Sequence, residues 1–127
     1  MKIVVVPVNS DNLSYLLVDE QSNTALAVDP AEPSKVLAAA EAAGVGIVAI
    51  LTTHHHMDHA GGNVELKAKL NNCPVYGGSD KVAGVDHVVV DHQQIEHGAL
   101  RVTVLEVPFH TRDSVLYVAS DTTKPEE

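Results

Sequence analysis

Apolar residues in this chain come in short runs rich in β-branched side chains, divided by polar or turn-forming residues. KIVVVPV (2–8) has the length and composition of a strand. YLLVD (15–19) and ALAVD (25–29) flank SNT (22–24), which predicts a hairpin. DPAEP (29–33) stops the second run, and Pro33 suits the first turn of a helix, where its missing N–H is not needed. SKVLAAAEAAG (34–44) is the one clearly helical stretch. Val36, Leu37, Ala40 and Ala43 share a face, and Gly44 is placed to end it. VGIVAILTT (45–53) is continuously apolar without helical spacing, as in a strand buried on both faces. NVELKAKLNN (63–72) predicts a short helix capped by Asn63. PVYGG (74–78), HVVVD (87–91), LRVTVLEVP (100–108) and SVLYVAS (114–120) predict further strands, with Leu100, Val102 and Val104 on one side. DTTKPEE (121–127) carries no core signal. A strand-rich order with interspersed helices predicts an α+β domain, with helices on one face of a sheet.

Composition narrows the classes. A chain of 127 residues is one domain at most, and 45% hydrophobic with 20% charged residues is ordinary for a globular fold. Eight Lys and Arg against 17 Asp and Glu give a net charge of −9, which argues against nucleic acid as the main partner and offers no basic patch for anionic lipid. The apolar start is broken at Pro7 and polar from Asn9, so it reads as a strand rather than a leader, and no run approaches the ~18 residues of a membrane span. The single cysteine, Cys73, cannot form an intrachain disulfide and has no ligand partner in its local sequence. These features point to the cytoplasm, with a mitochondrial location left open.

The chemistry sits in LTTHHHMDHAGGN (51–63), directly after the most apolar run. In an extended segment His54 and His56 point to the same side and can share one ion, whereas His55 points away and serves the loop. Asp58 and His59 follow one turn later. Imidazole and carboxylate donors without thiolate suit zinc, iron or manganese. Gly61 and Gly62 let the backbone turn sharply beneath the cluster. His87, His92 and His97 lack tight ligand spacing and read as surface residues, and Tyr76 reads as packing.

THHHMDHAGGN resembles the T-H-x-H-x-D-H signature of the metallo-β-lactamase superfamily. Together with DNLSYLLVD, AVDPAEPSKV, VYGGSD and VPFHTRDS, it is similar to the glyoxalase II (hydroxyacylglutathione hydrolase) branch, in a fungal-like HTRDS form with Asp113 where many members have Gly. The resemblance covers essentially all of the chain. It implies the N-terminal part of an αββα sandwich, so that residues 1–127 form a partial metallo-β-lactamase-like domain. It implies His54, His56 and His110 as ligands of a first metal, and Asp58 and His59 as ligands of a second. Three neutral imidazoles leave an open position for water. A metal lowers the pKa of such water from ~16 to about 7, and Asp58 then orients the metal-bound hydroxide. The implied reaction is hydrolysis of S-(2-hydroxyacyl)glutathione, such as S-lactoylglutathione, to glutathione and a hydroxy acid, with zinc as the cofactor.

The family pattern continues past the strand matched by VLYVA into a T-G-D segment with a bridging aspartate, a further histidine and a helical region that binds glutathione. None of these occurs in the 127 residues. Asp121 is the nearest substitute for the bridging residue. The second metal site is therefore expected to be incomplete, substrate-binding residues to lie beyond Glu127, and activity to be impaired. One sheet face is expected to lack cover and so to favour self-association. Two alternatives stand beside the hydrolase: a non-catalytic metal-binding chain that needs a partner, and a persulfide dioxygenase-like protein with one iron.

Overall fold

The structure is a computed structural model that describes residues 1–8, 12–54, 62–107 and 114–123. The strands are β1 (Lys2–Val8), β2 (Asn12–Asp19), β3 (Thr24–Val28), β4 (Gly46–Leu51), β5 (Val75–Gly77), β6 (His87–Val88), β7 (Gln94–His97), β8 (Leu100–Glu106) and β9 (Val115–Asp121). The helices among the described residues are α1 (Pro33–Ala43) and α2 (Asn63–Lys69). Among the described residues one sheet has six strands in the order β1-β2-β3-β4-β5-β6, and the other has three in the order β7-β8-β9. In the large sheet β1, β2 and β3 are antiparallel neighbours, while β3 to β6 run parallel. The small sheet is antiparallel throughout.

Two apolar layers hold these sheets. Alternation along β2 and β3 sends Leu16, Val18, Ala25 and Ala27 to one face, where they meet Val36 and Ala40 of α1 and Leu66 of α2. It sends Leu17, Leu26 and Val28 to the other, where they meet Ile95, Leu100, Val102, Val104 and Val115 of the small sheet. Strand β4 is apolar on both sides for this reason: Ile47 and Ile50 face the helices, and Ala49 and Leu51 face the small sheet. Val48 is an extra residue opposite β3, where the pairing shifts between Ala25 and Leu26. The α+β expectation holds, with both helices on one face of the large sheet.

Several local expectations need correction. Helix α1 starts at Pro33 and ends at Gly44, whose φ of 70° is left-handed, as read from the sequence. Helix α2 does not use Asn63 as its cap. Gly62 occupies the cap position and Asn63 is the first helical residue, fully buried. A Cβ at Gly62 would collide with the carbonyl of Pro30 and the ring of Pro33, so the glycine is needed for close approach; its φ is −94°. The 87–91 strand shrinks to His87–Val88, because only these residues pair with β5. Strand β7 was not expected, since QIEH has a single apolar residue, Ile95, and forms by pairing with β8.

The turn after β5 is tied to α2 by a charge pair. Lys67 Nζ lies 2.7 Å from each carboxylate oxygen of Asp86, and the Val75 N–H donates to Asp86 Oδ2 at 2.9 Å. The lysine ammonium first, and the Val75 N–H next, hold the Asp86 carboxyl below its ordinary range. A carboxyl with a lowered folded-state pKa stabilises the fold above its unfolded value of about 4, and the effect is lost as pH falls through the folded value. Asp86→Asn is therefore expected to lower the urea midpoint at neutral pH and to match the parent at about pH 2. An equal deficit at both pH values would mean that the ionised pair is not the source.

Candidate metal centre

Strands β3, β4 and β5 run parallel and end on the same side of the large sheet, where loops on a rigid scaffold carry chemistry. Among the described residues seven polar or charged side chains are buried: Ser14, Asp19, Asp29, Thr52, His54, Asn63 and Ser114. All but Asp19 gather around the end of β4. Burial of polar groups costs free energy unless each finds a partner, so the network that satisfies them defines the site.

The network centres on Asp29 and Thr53. Asp29 Oδ1 accepts from the Thr53 N–H at 2.8 Å, and Oδ2 accepts from the Thr53 hydroxyl at 2.6 Å. Asp29 has a left-handed φ of 51°. That conformation is held from both sides: its N–H donates to the Leu51 carbonyl at 3.0 Å, and its own carbonyl accepts from the Ser14 hydroxyl at 2.5 Å. Thr52 is held equally firmly. Its N–H donates to the Tyr76 carbonyl at 2.9 Å, its hydroxyl accepts from Asn63 Nδ2 at 2.9 Å, and its carbonyl accepts from the Tyr117 hydroxyl at 2.7 Å. Asn63 Nδ2 also reaches the Ala83 carbonyl at 3.0 Å. The Val115 N–H donates to the Thr53 carbonyl at 2.8 Å. Burial, and then the negative charge of Asp29, push the Tyr117 phenol above its ordinary range, so it stays a neutral donor.

These bonds fix the proton on His54. Its Nδ1 lies 3.1 Å from the Thr53 hydroxyl oxygen. That hydroxyl has one proton, and it points to the Asp29 carboxylate. The hydroxyl oxygen can therefore only accept from His54, which makes Nδ1 the protonated nitrogen and Nε2 the lone-pair nitrogen. A histidine held in one tautomer by a carboxylate-linked partner is the form that binds a metal through its other nitrogen.

His54 is the one predicted ligand among the described residues. His55, His56, Asp58, His59 and His110 lie outside them, as does Gly61. Asp121 is placed against the bridging role considered for it. It ends β9, six residues from Val115, which at about 3.3 Å per residue is ~20 Å along the strand. There its carboxylate accepts from the N-terminal ammonium of Met1 and from Thr123, and these bonds hold it well below the usual carboxylate range. His87 is exposed and stacks on Tyr76 with ring centroids 4.8 Å apart, and His92 is exposed beside Asp91. His97 is not simply a surface residue: its Nε2 is 2.5 Å from the Thr24 hydroxyl, joining the two sheets at the end opposite His54. Cys73 is buried, and burial raises its pKa, as expected of an inert thiol. The sequence reading missed Asp29, Asn63 and Tyr117 as parts of the site. An aspartate ending a buried parallel strand was the available signal for the first.

The comparisons agree with this architecture. The family profile for the metallo-beta-lactamase superfamily matches residues 11–122. This chain belongs to the metallo-β-lactamase superfamily. It is 37% identical over its whole length to a hydroxyacylglutathione hydrolase of Dictyostelium discoideum, and 44% identical over 92% of its length to a cytoplasmic hydroxyacylglutathione hydrolase of Arabidopsis thaliana. These matches span 48% and 46% of the relatives, so the chain covers about half of their length. Among solved structures, ETHE1 from Myxococcus xanthus superposes with a TM-score of 0.83 at 24% identity, covering 94% of this chain and 54% of that one. The BLEG-1 B3 metallo-beta-lactamase superposes at 0.77 with 21% identity, covering 91% and 66%. At these identities the likeness is one of fold.

Membership of this superfamily implies a metal cofactor, and the fixed tautomer of His54 fits one. Thr53→Val removes the hydroxyl that sets this tautomer while keeping the side-chain shape. It is expected to weaken divalent metal binding by about 10–100-fold, as loss of an outer-shell partner does. Competition with a chromogenic chelator reads this out, with far-ultraviolet circular dichroism as a check on folding. Unchanged affinity would mean that Thr53 does not orient His54.

Proposed function

We propose that this chain carries the metal-binding half of a hydroxyacylglutathione hydrolase and acts on S-(2-hydroxyacyl)glutathione, S-lactoylglutathione being the test substrate. The observation that carries the reading is identity of 37–44% to two enzymes of that name over nearly all of the chain. His54, His56 and His110 hold the first cation, zinc in this proposal, and Asp58 and His59 contribute to a second site. A bound divalent cation supplies an acidified water and stabilises charge on the thioester oxygen. The chain's own residues supply position. Thr53 fixes the His54 proton, Asp29 fixes Thr53, and Asp58 as a carboxylate accepts from the attacking water and orients it. A cytoplasmic site of action is supported by the name of the Arabidopsis relative. No described helix is long and apolar enough to cross a membrane.

A second reading is favoured by one fact: the chain spans about half of each relative. On that reading it binds metal, and turnover requires further polypeptide. Zinc titration with a thioester-hydrolysis assay separates the two. His56→Ala and His110→Ala are expected to abolish high-affinity zinc binding, and His55→Ala to preserve it. Equal loss in all three would discard the ligand assignment. Turnover of S-lactoylglutathione by the chain alone would discard the partner-dependent reading. Uptake of iron with oxygen-dependent persulfide consumption would discard the hydrolase.

A further inference from the structure

The ligands proposed for the first metal come from two sheets. His54 and His56 follow β4 of the large sheet, and His110 lies in the connection from β8 to β9 of the small sheet. Imidazoles carried by separate layers share one cation only if the layers are held in register at that end, because donor distances are specified to within ~0.2 Å. Both ends of the connection are fixed on the small sheet itself. Glu106 pairs with Val115, and the Val107 N–H donates to the Ser114 carbonyl at 3.0 Å. What then sets the ligand spacing is the tie from the small sheet to the large one.

Two residues of β9 make that tie. The Val115 N–H donates to the Thr53 carbonyl at 2.8 Å, and the Tyr117 hydroxyl donates to the Thr52 carbonyl at 2.7 Å. The first is a backbone bond at the start of the strand, and alone it is a pivot. The second acts two residues on, ~7 Å along the strand, and stops rotation about the first. The Tyr117 ring packs against the apolar layer between the sheets, and its hydroxyl is also 3.5 Å from the Tyr76 carbonyl, so it sits over both β4 and β5. Thr24 and His97 bond across the sheets as well, but at the opposite end. We propose that Tyr117 is a positioning residue for the metal centre: its hydroxyl, through the Thr52 carbonyl, sets the distance between His54 and the connection that carries His110. This rests on the reading of His110 as a ligand. The action differs from that of Thr53, which sets the proton on His54 and not the spacing of the layers.

The test measures zinc affinity of the full chain by chelator competition, with circular dichroism of each variant to confirm folding. Tyr117→Phe keeps the packed ring and deletes the hydroxyl. It is expected to weaken zinc binding about tenfold, the low end for loss of a group that orients a ligand. Thr24→Val deletes a cross-sheet hydrogen bond at the opposite end and is expected to change affinity by less than about twofold, as a distant, independent site does. A double-mutant cycle then separates spacing from general support. In a His110→Ala background, Tyr117→Phe is expected to weaken the residual affinity by less than about twofold, because no ligand of the second layer is left to align. Parent affinity in Tyr117→Phe overturns the proposal. Equal loss in Tyr117→Phe and Thr24→Val overturns it too, by making the hydroxyl a general support. So does an undiminished loss in the His110→Ala background, which would mean that Tyr117 acts on His54 alone. Parent affinity in His110→Ala would discard the ligand reading and the proposal with it. Loss in His110→Ala with none in Tyr117→Phe would discard the proposal and leave the ligand reading standing.

Discussion

The Asp29 carboxylate and the two hydrogens of Thr53 that it accepts are the contact on which the rest of the site depends. Asp29 is almost fully buried at the end of β3. Its charge is tolerated because both oxygens receive charge-assisted hydrogen bonds, each worth ~1.5–3 kcal/mol in such settings. The same contact turns the chain. Left-handed backbone at Asp29 swings it out of the sheet toward α1, while the Leu51 carbonyl receives its N–H and keeps the ends of β3 and β4 level. One buried carboxylate thus sets the direction of the strand exit and the orientation of the histidine that follows.

Because the proton order along Asp29, Thr53 and His54 runs one way, the imidazole is committed before any ligand arrives. Thr52 and Thr53 are hydrogen-bonded to α2, to β5 and to β9, so movement of any of these elements reaches His54 through short bonds. Asn63 shows what this asks of the sequence. At a helix start its side chain would ordinarily cap the backbone. Here Gly62 lies tight against Pro30 and Pro33, the helix begins one residue earlier than a capping asparagine would require, and the Asn63 amide serves Thr52 and Ala83 instead.

That substitution of roles explains what the sequence made legible. Runs whose side chains set their own fate were readable: β4 as a strand apolar on both faces, β8 with Leu100, Val102 and Val104 inward, α1 between Pro33 and Gly44. The T-H-x-H-x-D-H spacing identified the superfamily. Elements formed by their neighbours were not readable. Strand β7 has one apolar residue and exists through its pairing with β8. Asp29 read as turn punctuation because D-P is a common turn, and nothing local tells which partner a carboxylate will meet 24 residues later. His97 read as surface for the same reason, its partner Thr24 being 73 residues away.

The two ends of β9 do different work. At its far end Asp121 clasps the amino terminus and ties the small sheet to β1. At its near end Val115 bonds Thr53 and Tyr117 bonds Thr52, the two residues that lead into His54. One strand therefore joins the far end of the small sheet to the backbone that positions His54, so a shift along β9 is felt at both ends.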